Sequence, residues 1–236
     1  MIYLKEVDST NKYIKEHVSE LDSFECVFTD NQTEGKGRTG HTWLSEPRKN
    51  ATFSILVKDK DINTNFNIVS IVAGLVVAEY LDMLGLNNVT IKWPNDVYVC
   101  GCKICGILLE GQLPDYLIIG IGINVNQKNF EGLAATSIYN EIGTRLDTKL
   151  VASDLAEYLI TRLKNVNDKL SKEDLDEFIL KDYLAGTNVT FTHKDEREEG
   201  LALGINEDGS YKIKFNEKIL SINSDEINTL RKSENS

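Results

Sequence analysis

A basic, glycine-rich segment is the first feature of this sequence whose residue types could do chemistry. Residues 32–43 read Gln-Thr-Glu-Gly-Lys-Gly-Arg-Thr-Gly-His-Thr-Trp. Three glycines at positions 35, 37 and 40 argue against a helix or strand interior, where glycine loses the most backbone entropy. Backbone N–H groups of such a loop can approach an anion, and Lys36 and Arg38 add positive charge. The segment therefore predicts an anion-binding loop that ends on the indole of Trp43.

The glycines match G-x-G-x-x-G, but the flanking sequence does not support a dinucleotide site. That interpretation requires a helix directly after the glycines, with its N-terminus facing the pyrophosphate. Residues 41–47 have the composition of a loop instead, and residues 51–58 form an apolar run that predicts a strand. The Walker phosphate loop is excluded too, because no Lys-Ser/Thr pair follows the last glycine. We interpret the segment as a phosphate-type loop between two strands.

Two other segments carry matching chemistry. Residues 92–96, Lys-Trp-Pro-Asn-Asp, place a cation, an indole, an amide and a carboxylate around a turn, and the alternative is a hairpin turn with solvated charges. Lys103 begins an apolar strand that contains Gly106. This lysine is either an exposed residue at a strand end or a cation directed into a pocket beside bare backbone.

Two smaller features leave alternatives open. Ser9 and Thr10 either cap the first helix or also direct their hydroxyl groups into the pocket of the glycine loop. Gly120 and Gly122 share one face of a predicted strand, which indicates either close approach of a ligand or backbone, or a β-bulge or crowding against a helix. No Ser-His-Asp triad can be assigned, because none of the histidines His17, His41 and His193 has a nucleophile nearby in sequence.

Composition limits the classes of function. The chain has 236 residues and a net charge of −11, from 26 basic and 37 acidic side chains, which argues against a nucleic-acid-binding protein. A basic loop in an acidic protein fits a small anionic ligand better. The apolar runs, the longest interrupted by Ser70, Gly74 and Glu79, are too short for a membrane span, and the N-terminus does not resemble a signal peptide. We expect a soluble, cytoplasmic protein without a membrane partner.

The cysteines give only a weak indication of a metal site. Cys100, Cys102 and Cys105 lie close together, whereas Cys26 is distant in sequence. A zinc site needs a fourth ligand at a matched spacing, and none is present nearby. We therefore predict no protein metal site and interpret the cysteines as small apolar residues around a strand turn. Disulfides are not expected in a cytosolic chain.

Periodicity and turn residues predict an α+β chain. The predicted helices cover residues 12–19, 64–84, 150–164 and 172–184, and the predicted strands cover 25–30, 51–58, 88–93, 97–99, 103–109 and 116–125. From residue 188 to 230 the segments are short and strand-like, which predicts a small barrel. The tail from Arg231 to Ser236 is polar and is expected to fray. We place a first domain at residues 1–185, which the resemblance described below implies to be the catalytic domain, and a C-terminal domain at residues 186–236.

Together these motifs resemble the biotin protein ligases. Residues 35–43 resemble the family's G-R-G-R-x-G-R-x-W segment, residues 92–96 its K-W-P-N-D segment, and residues 103–110 its K-x-x-G-I-L-x-E segment. Ser9-Thr10-Asn11, residues 120–125 and Ala135-Thr136-Ser137 follow in the same order. The resemblance covers essentially the whole chain, and several motifs in one order are more specific than any single motif.

The resemblance implies a class II synthetase-like mixed β-sheet with helices, followed by an SH3-like barrel. It also implies that biotin and MgATP are substrates, with Mg²⁺ bound through ATP. Biotin is activated as biotinyl-5′-AMP and then joined to a lysine of a biotin carboxyl carrier domain of a biotin-dependent carboxylase. Family members form dimers through sheet edges, so a homodimer is one expectation.

By the same resemblance, the catalytic residues are Lys103, Arg38 and Asp96. Cations at the reacting centre would offset the negative charges of the carboxylate and the phosphate, and Asp96 would orient the attacking amine or accept its proton. The implied biotin-binding residues are Ser9, Thr10, Asn11, Gln32, Gly35, Lys36, Arg38, Lys103, Gly106 and Gly120. The implied contacts to ATP and the adenylate come from Lys36, Arg38, Trp43, Lys92, Asn95, Lys103 and Asn124.

The chain departs from the family pattern at Lys36 and His41, where arginines are expected, and Glu34 adds a negative charge beside the loop. Some family members carry an N-terminal DNA-binding domain. Ser9 and Thr10 lie so near Met1 that we expect no such domain and no binding to DNA. Two rival functions are a lipoate ligase or octanoyl transferase and a non-catalytic sensor of biotin or its adenylate.

Overall fold

The computed structural model describes residues 1–58, 61, 64–193 and 196–233. Within them, one mixed sheet lies beneath a layer of helices, and a second sheet follows near the C-terminus. The helices are α1 (Thr10–Glu16), α2 (Phe66–Met83), α3 (Ile138–Ile142), α4 (Thr148–Leu163) and α5 (Lys172–Lys181). The strands of the first sheet are β1 (Ile2–Leu4), β2 (Cys26–Thr29), β3 (Asn50–Lys58), β4 (Val89–Lys92), β5 (Asp96–Val99), β6 (Cys102–Gln112) and β7 (Tyr116–Asn124).

The first sheet has seven strands in the order β1-β2-β3-β7-β6-β5-β4. Strands β1 and β2 are parallel, and the other neighbours are antiparallel. One face of the sheet packs against α2, which is buried around nearly its whole circumference because Ile, Val, Leu and Ala fill most of its positions. The other face carries α1 at one end, over Val27, Leu56 and Ile118. The rest of that second face is where the glycines of β6 and β7 lie.

Helix α2 is long and apolar enough to cross a membrane by length and composition, which differs from our expectation from the sequence. Ser70, Gly74 and Glu79 interrupt the apolar run less than we expected. In the folded chain, however, 78% of the helix is buried against other parts of the protein. Helix α2 therefore packs as the core helix of a soluble domain does.

The second sheet contains β8 (Asn188–His193), β9 (Glu196–Ile205), β10 (Tyr211–Phe215), β11 (Lys218–Ile222) and β12 (Ile227–Lys232). Its order is β11-β10-β9-β8-β12, and all of its pairs are antiparallel. This arrangement is consistent with the SH3-like domain that the resemblance implies. The division at residues 185 and 186 stays a prediction.

The two sheets are joined by buried polar contacts. The indole Nε1 of Trp93 donates to the carbonyl oxygen of Gly209 at 3.1 Å, and its ring packs against Tyr211 with a centroid distance of 5.2 Å. The hydroxyl of Tyr211 donates to Asp182 at 2.8 Å. Burial raises the pKa of the Asp182 carboxyl group, although backbone and Tyr211 donors oppose that shift. Trp93, the first residue after β4, therefore anchors the C-terminal sheet.

Most predicted elements are confirmed, with shifted ends. Ser9 caps α1 through its side chain, which accepts from the N–H of Lys12, and α1 ends at Glu16, before the predicted end at residue 19. Helix α5 ends at Lys181 because Asp182 adopts extended backbone. Among the described residues, four short elements were not predicted: β1, α3 and the 3₁₀ turns at Arg38–Gly40 and Ser224–Glu226. The tail was expected to fray from Arg231, but Arg231 and Lys232 end β12 and pair with β8. Residues 194, 195 and 234–236 lie outside the described residues.

Candidate active site

The glycine-rich segment folds as a short hairpin over the sheet, which we call the glycine flap (residues 35–43). The N–H of Trp43 donates to the carbonyl oxygen of Gly35 at 2.9 Å, and the N–H of Gly37 donates to that of His41 at 2.7 Å. The turn between the two arms contains Thr39 with φ 50° and Gly40 with φ 80°. The sequence predicted an irregular loop here. The antiparallel pairing was missed because two of its glycines lie in or next to the paired arms.

Trp43 at the end of the flap lies directly on the glycines of the sheet. A Cβ atom on Gly122 would lie 2.4 Å from Cε2 of Trp43, and one on Gly106 would lie 3.1 Å from its Cζ3. Strand β7 keeps a regular register with both neighbours at Gly120 and Gly122, so no bulge occurs there. Gly120 lies against Asn11 of helix α1, which is the alternative of crowding against a helix, and Gly122 lies against the Trp43 side chain; close approach of a ligand to these glycines stays a prediction. The indole Nε1 of Trp43 is buried without a hydrogen-bond partner in the described structure.

The opposite wall carries an ion pair. Nζ of Lys103 lies 2.7 Å from Oδ1 of Asp96, which accepts no other hydrogen bond in the described part of the chain. Lys103 Nζ also lies 5.7 Å from the centre of the Trp43 ring, a cation–π distance, and 3.3 Å from where a Cβ of Gly106 would be. Lys103 is therefore a cation beside bare backbone, the second of the two alternatives that its sequence context left open.

A β-bulge brings Lys103 and Gly106 to the same face of the sheet. Residues three apart in a regular strand point to opposite faces. Here Val97 pairs with Cys105 while Tyr98 pairs with Lys103, so Ile104 is an extra residue in β6. The bulge also explains why the consecutive residues Ile104 and Cys105 are both fully buried.

The turn between β4 and β5 is held from three sides, so it is more than a solvated hairpin turn. Apart from the anchoring of Trp93, the hydroxyl of Ser70 donates to the carbonyl oxygen of Pro94 at 2.5 Å. The side-chain amide of Asn95 donates to the carbonyl oxygen of Ile107 at 2.9 Å, and the N–H of Ile107 donates to that of Asn95 at 2.8 Å. These contacts fix Asp96 at the start of β5, where it faces Lys103.

Arg38 at the tip of the glycine flap reaches the C-terminal sheet. Its guanidinium group donates to the carbonyl oxygens of Ser224 and Ile227, the latter at 3.2 Å, and approaches Oδ1 of Asn95 at 3.5 Å. Burial lowers the pKa of Arg38, while the charges of Asp96 and Asp225 oppose the shift. A guanidinium group remains charged at any ordinary pH despite such a shift. Arg38 therefore places a full positive charge at the edge of the cavity.

A chain of buried polar side chains lies at the α1 end of the cavity. The N–H and hydroxyl of Thr10 contact Oε1 of Gln32 at 3.0 and 3.2 Å. The hydroxyl of Ser54 lies 2.7 Å from that of Thr10 and 2.6 Å from Oδ1 of Asn11. The amide nitrogen of Asn11 donates to Glu110 at 2.8 Å. Asn11 occupies the space beside Gly120, where a Cβ atom would lie 2.3 Å from its Oδ1.

One cavity joins these groups, and its electrostatics are unlike those of the rest of the chain. Asp96 is the one carboxylate among the described residues that line it. Basic side chains surround it: Lys36, Arg38, Lys92, Lys103 and Arg231. Burial lowers the pKa of Lys92, the charges of Arg231 and Lys103 lower it further, and the charge of Asp96 opposes this. The cavity thus concentrates positive charge in a protein with a net charge of −11.

The structure gathers most of the residues that the sequence singled out. The predicted residues that line the cavity are Ser9, Thr10, Asn11, Gln32, Lys36, Arg38, Trp43, Lys92, Asn95, Asp96, Lys103, Gly106 and Gly120. Gly35 and Asn124 lie outside this lining. Gly35 faces the backbone of Trp43 and the amide of Gln32, whereas the Asn124 side chain donates to the carbonyl oxygen of Thr136 at 2.9 Å. In the structure both therefore support the walls; their predicted ligand contacts stay predictions.

The sequence analysis did not assign three groups of residues that complete the site. Ser54 and Glu110 complete the polar chain beside α1. Residues 228–231 of β12 close the cavity from the C-terminal sheet. Only Glu110 had a signal in the sequence, because it ends the third motif. The others lie in strands of ordinary composition.

The cysteines near the β5–β6 turn do not share one environment. Cys105 is buried in the core, where desolvation raises the pKa of its thiol, whereas Cys100 is exposed in the turn. Cys100 contacts the neighbouring residues Asn87 and Asn88. Among the described residues, no group of three or more His, Cys, Asp or Glu side chains is arranged to hold a metal ion.

Comparisons with known proteins agree with this geometry. The structure is similar to the biotin protein ligase from Aquifex aeolicus in complex with biotin and ATP, with 34% sequence identity, a TM-score of 0.87 and coverage of 98% of both chains. The apo structure of the Aquifex enzyme gives 31% identity, the same coverage and a TM-score of 0.81. The sequence is 30% identical over 215 residues to the bifunctional ligase/repressor BirA of Escherichia coli, which covers 86% of this chain.

The chain spans 66% of the length of that Escherichia coli relative. The biotin/lipoate A/B protein ligase family matches residues 3–124, which contain the glycine flap, the β4–β5 turn, Lys103 and the glycines of β7. The matched segment covers more than half of the chain and all of the first sheet except Ile2, whereas α3, α4, α5 and the second sheet lie outside it. The chain belongs to the biotin/lipoate A/B protein ligase family.

Proposed function

We propose that this protein is an ATP-dependent biotin protein ligase. The observation that carries the proposal is the cavity, in which five basic side chains surround one carboxylate beneath a glycine flap. Joining a carboxylate to a nucleoside triphosphate brings two anions together, so the site must supply positive charge where they react. The similarity to a ligase that binds biotin and ATP supports these two ligands over other anions.

In the first step, a carboxylate oxygen of biotin attacks the α-phosphorus of ATP. The bond from that phosphorus to the bridging oxygen breaks, and pyrophosphate leaves with the electron pair. Lys103 Nζ, beside the bare backbone of Gly106, is placed to stabilise the charge that develops between the two reactants. One such contact contributes about 3–4 kcal/mol to transition-state stability in a site without water. Arg38 and Lys36 would hold the phosphates from the flap.

In the second step, an amine of an acceptor lysine attacks the acyl carbon of biotinyl-5′-AMP. The acyl–oxygen bond breaks, AMP leaves, and an amide forms. The attacking amine must be neutral, so a group is needed that takes its proton. Asp96 is the one carboxylate among the described residues of the lining, and we assign it this role.

Trp43 and the glycine flap would separate the adenylate from water. The indole covers Gly106 and Gly122, and the flap closes the cavity above them. A mixed anhydride is readily hydrolysed, so a flap that stays closed until the acceptor arrives preserves it. Mg²⁺ would enter as part of MgATP, because the described lining offers only one carboxylate and that group is paired with Lys103.

The acceptor that fits this chemistry is a biotin carboxyl carrier domain of a biotin-dependent carboxylase. A relative from Mycobacterium tuberculosis, 31% identical over 155 residues, is named biotin–[acetyl-CoA-carboxylase] ligase. We propose a cytoplasmic location, where ATP and carboxylases are found together. The acidic net charge also supports the absence of a DNA partner. A homodimer stays an expectation.

Biotin-dependent exchange of labelled pyrophosphate into ATP tests the first step. We expect exchange with biotin and MgATP, and none when biotin is replaced by lipoate. Exchange with lipoate but not biotin would identify the protein as a lipoate ligase. Biotin binding without any exchange would identify it as a sensor of biotin.

A further inference from the structure

Residues 134–136 lie beside the start of β6, where β7 does not pair with it. Pairing between β6 and β7 begins at Cys105. Before that point, the N–H of Lys103 donates to the carbonyl oxygen of Ala134 at 2.9 Å, and the N–H of Thr136 donates to the carbonyl oxygen of Lys103 at 2.9 Å. Both backbone hydrogen-bonding groups of Lys103 therefore face this stretch, which we call the support segment (residues 134–136).

The support segment holds Lys103 next to the β-bulge at Ile104. A bulge disrupts the regular ladder of a strand and bends it, so the direction of a neighbouring side chain depends on the contacts that hold the backbone. For Lys103 this direction decides whether Nζ lies 2.7 Å from Asp96 Oδ1 and beside the bare backbone of Gly106, as it does here. A shift of the support segment would therefore displace the cation from its place in the cavity.

Thr136 ties the support segment to two other elements. Its carbonyl oxygen accepts a hydrogen bond from the side-chain amide of Asn124, at the end of β7, at 2.9 Å. Its hydroxyl donates to Oε1 of Glu141 in α3 at 2.5 Å. Thr136 is 5% exposed, so water has little access to replace a lost partner. With its N–H bonded to Lys103, all three hydrogen-bonding groups of Thr136 have partners.

Helix α3 gives the acceptor of the Thr136 hydroxyl a defined place. The helix begins directly after Ser137, whose side chain accepts from the N–H of Asn140 at 3.1 Å. The side-chain amide of Asn140 donates to the carbonyl oxygen of Lys128 at 3.0 Å, which ties the helix to the chain that follows β7. Glu141 is exposed at the surface, but the short helix that carries it is held by these two contacts.

We propose that Thr136 and Glu141 are positioning residues for Lys103. The hydrogen bond between them keeps the support segment against the start of β6, and the segment keeps Nζ of Lys103 where charge develops in the first step. Neither residue is among the described residues that line the cavity, so both act through the Lys103 backbone and not on a ligand. The inference rests on the proposed function, and it gives a role to the Ala135-Thr136-Ser137 motif.

Removal of the Thr136 hydroxyl tests the proposal through the kinetics of pyrophosphate exchange. Thr136→Val keeps the shape of the side chain and loses the hydrogen bond to Glu141. We expect kcat to fall roughly tenfold, because a small displacement of a reacting group has a large effect on rate. The KM values for biotin and ATP should stay within about twofold of the wild-type values, since no ligand contact is removed.

Three further variants separate positioning from folding. Thr136→Ser keeps the hydroxyl, and its kcat should lie within about twofold of the wild-type value. Glu141→Ala removes the same hydrogen bond from its exposed side and should reproduce the loss of kcat. Thr161→Val is the matched control, because the Thr161 hydroxyl donates to the carbonyl oxygen of Glu157 at 2.9 Å within α4, away from the cavity lining. Circular dichroism checks that each variant is folded at the assay temperature.

A double-mutant cycle with Lys103→Ala shows whether Thr136 acts through this lysine. The residual exchange of Lys103→Ala is measured at a higher protein concentration, with and without Thr136→Val. We expect Thr136→Val to change this residual rate by less than about twofold, because there is no longer a cation to misplace.

The outcomes distinguish this inference from the proposed function. An unchanged kcat in both Thr136→Val and Glu141→Ala, or a raised KM at unchanged kcat, would overturn the inference. An equal loss of rate with and without Lys103, or a loss that also occurs in Thr136→Ser, would overturn it as well. If the wild-type protein shows no exchange with biotin and MgATP, the proposed function is refuted, and the inference with it.

Discussion

Two charged clusters in this molecule have opposite compositions. In the cavity, five basic side chains surround the carboxylate of Asp96. In the helix layer, one basic residue, Arg162 of α4, lies between Glu79 of α2 and Asp174 of α5. Arg162 reaches Glu79 at 2.7 Å, and Glu177 lies beside Glu79. The helix cluster has an excess of acid, whereas the cavity has an excess of base.

The difference separates a structural cluster from a binding site. Arg162 uses both of its terminal nitrogens on carboxylates from two other helices, so the charges satisfy one another within the fold. The cavity instead leaves most of its positive charge without an acidic partner in the described structure. Like charges held together lower stability, and such an arrangement is typical of a site that receives anions. Removing a cation from the cavity should therefore lower activity but not stability, whereas removing Arg162 from the helix cluster should lower stability but not activity.

The largest expected effect is on activity, from Lys103→Ala. We expect biotin-dependent pyrophosphate exchange to fall by about 10²–10³-fold, because the developing charge loses its nearest cation. The melting temperature should not fall, because Arg38 and Lys92 still surround Asp96 and offset its charge. Lys169→Ala is the matched control, since that exposed lysine pairs with Glu207 at 3.1 Å far from the cavity. Exchange near the wild-type rate in Lys103→Ala would remove this residue from the mechanism.

The next largest effect is on stability, from Arg162→Ala. We expect the free energy of unfolding to fall by about 2 kcal/mol, because the carboxylates of the cluster lose the charged donor that they share. Exchange activity per folded molecule should be unchanged at a temperature where the variant is folded. Urea denaturation measures the first quantity. Arg162→Lys, which keeps the charge but loses the second hydrogen bond, should lie between the two, and a fully stable alanine variant would show that the cluster contributes nothing.

The smallest effect is a pH dependence in the helix cluster. Desolvation and the neighbouring Glu79 raise the pKa of Glu177 from its ordinary value of 4.5 to about 7. In the folded state the group therefore holds its proton at pH values where the unfolded chain has lost it. The stability associated with Glu177 is present below about pH 4.5 and is lost as the pH rises through about 7.

Glu177→Gln, which stays neutral, should remove that loss. We expect the variant to be more stable than the wild type at pH 8 by up to about 1 kcal/mol, given the solvent exposure of the group. The difference should shrink as the pH falls towards 4.5. Urea denaturation across this range measures it. A stability difference that does not vary with pH would show that Glu177 is not protonated in the fold.

The sequence predicted which residues meet in the cavity better than it predicted the backbone features that hold them there. Trp43, Lys103 and Asp96 lie in motifs whose order is specific, so their convergence could be anticipated. The bulge at Ile104 could not, because an extra residue in a strand depends on the pairing of both strands. Arg38 was assigned to the ligand alone, yet it also binds carbonyl oxygens of Ser224 and Ile227. Every residue has a carbonyl oxygen, so no residue type marks such a partner.

Tertiary contacts decide the rest. Ser54 is an ordinary serine in an apolar strand, and only its neighbours in α1 give it a role. Asn124 lies on the same strand as Gly120 and Gly122, but its side chain donates to the carbonyl oxygen of Thr136. The short strand β1 was missed because three residues give too little periodicity, although β2 stabilises it by parallel pairing.

Mass spectrometry of an acceptor tests the central claim most directly. A biotin carboxyl carrier domain is incubated with the wild-type protein, biotin and MgATP, and separately with Lys103→Ala. We expect the wild type to add one biotinyl group to a single lysine of the carrier, only when both substrates are present, and the variant to add almost none. A carrier that keeps its original mass with folded wild-type protein and both substrates would contradict the assignment as a biotin protein ligase.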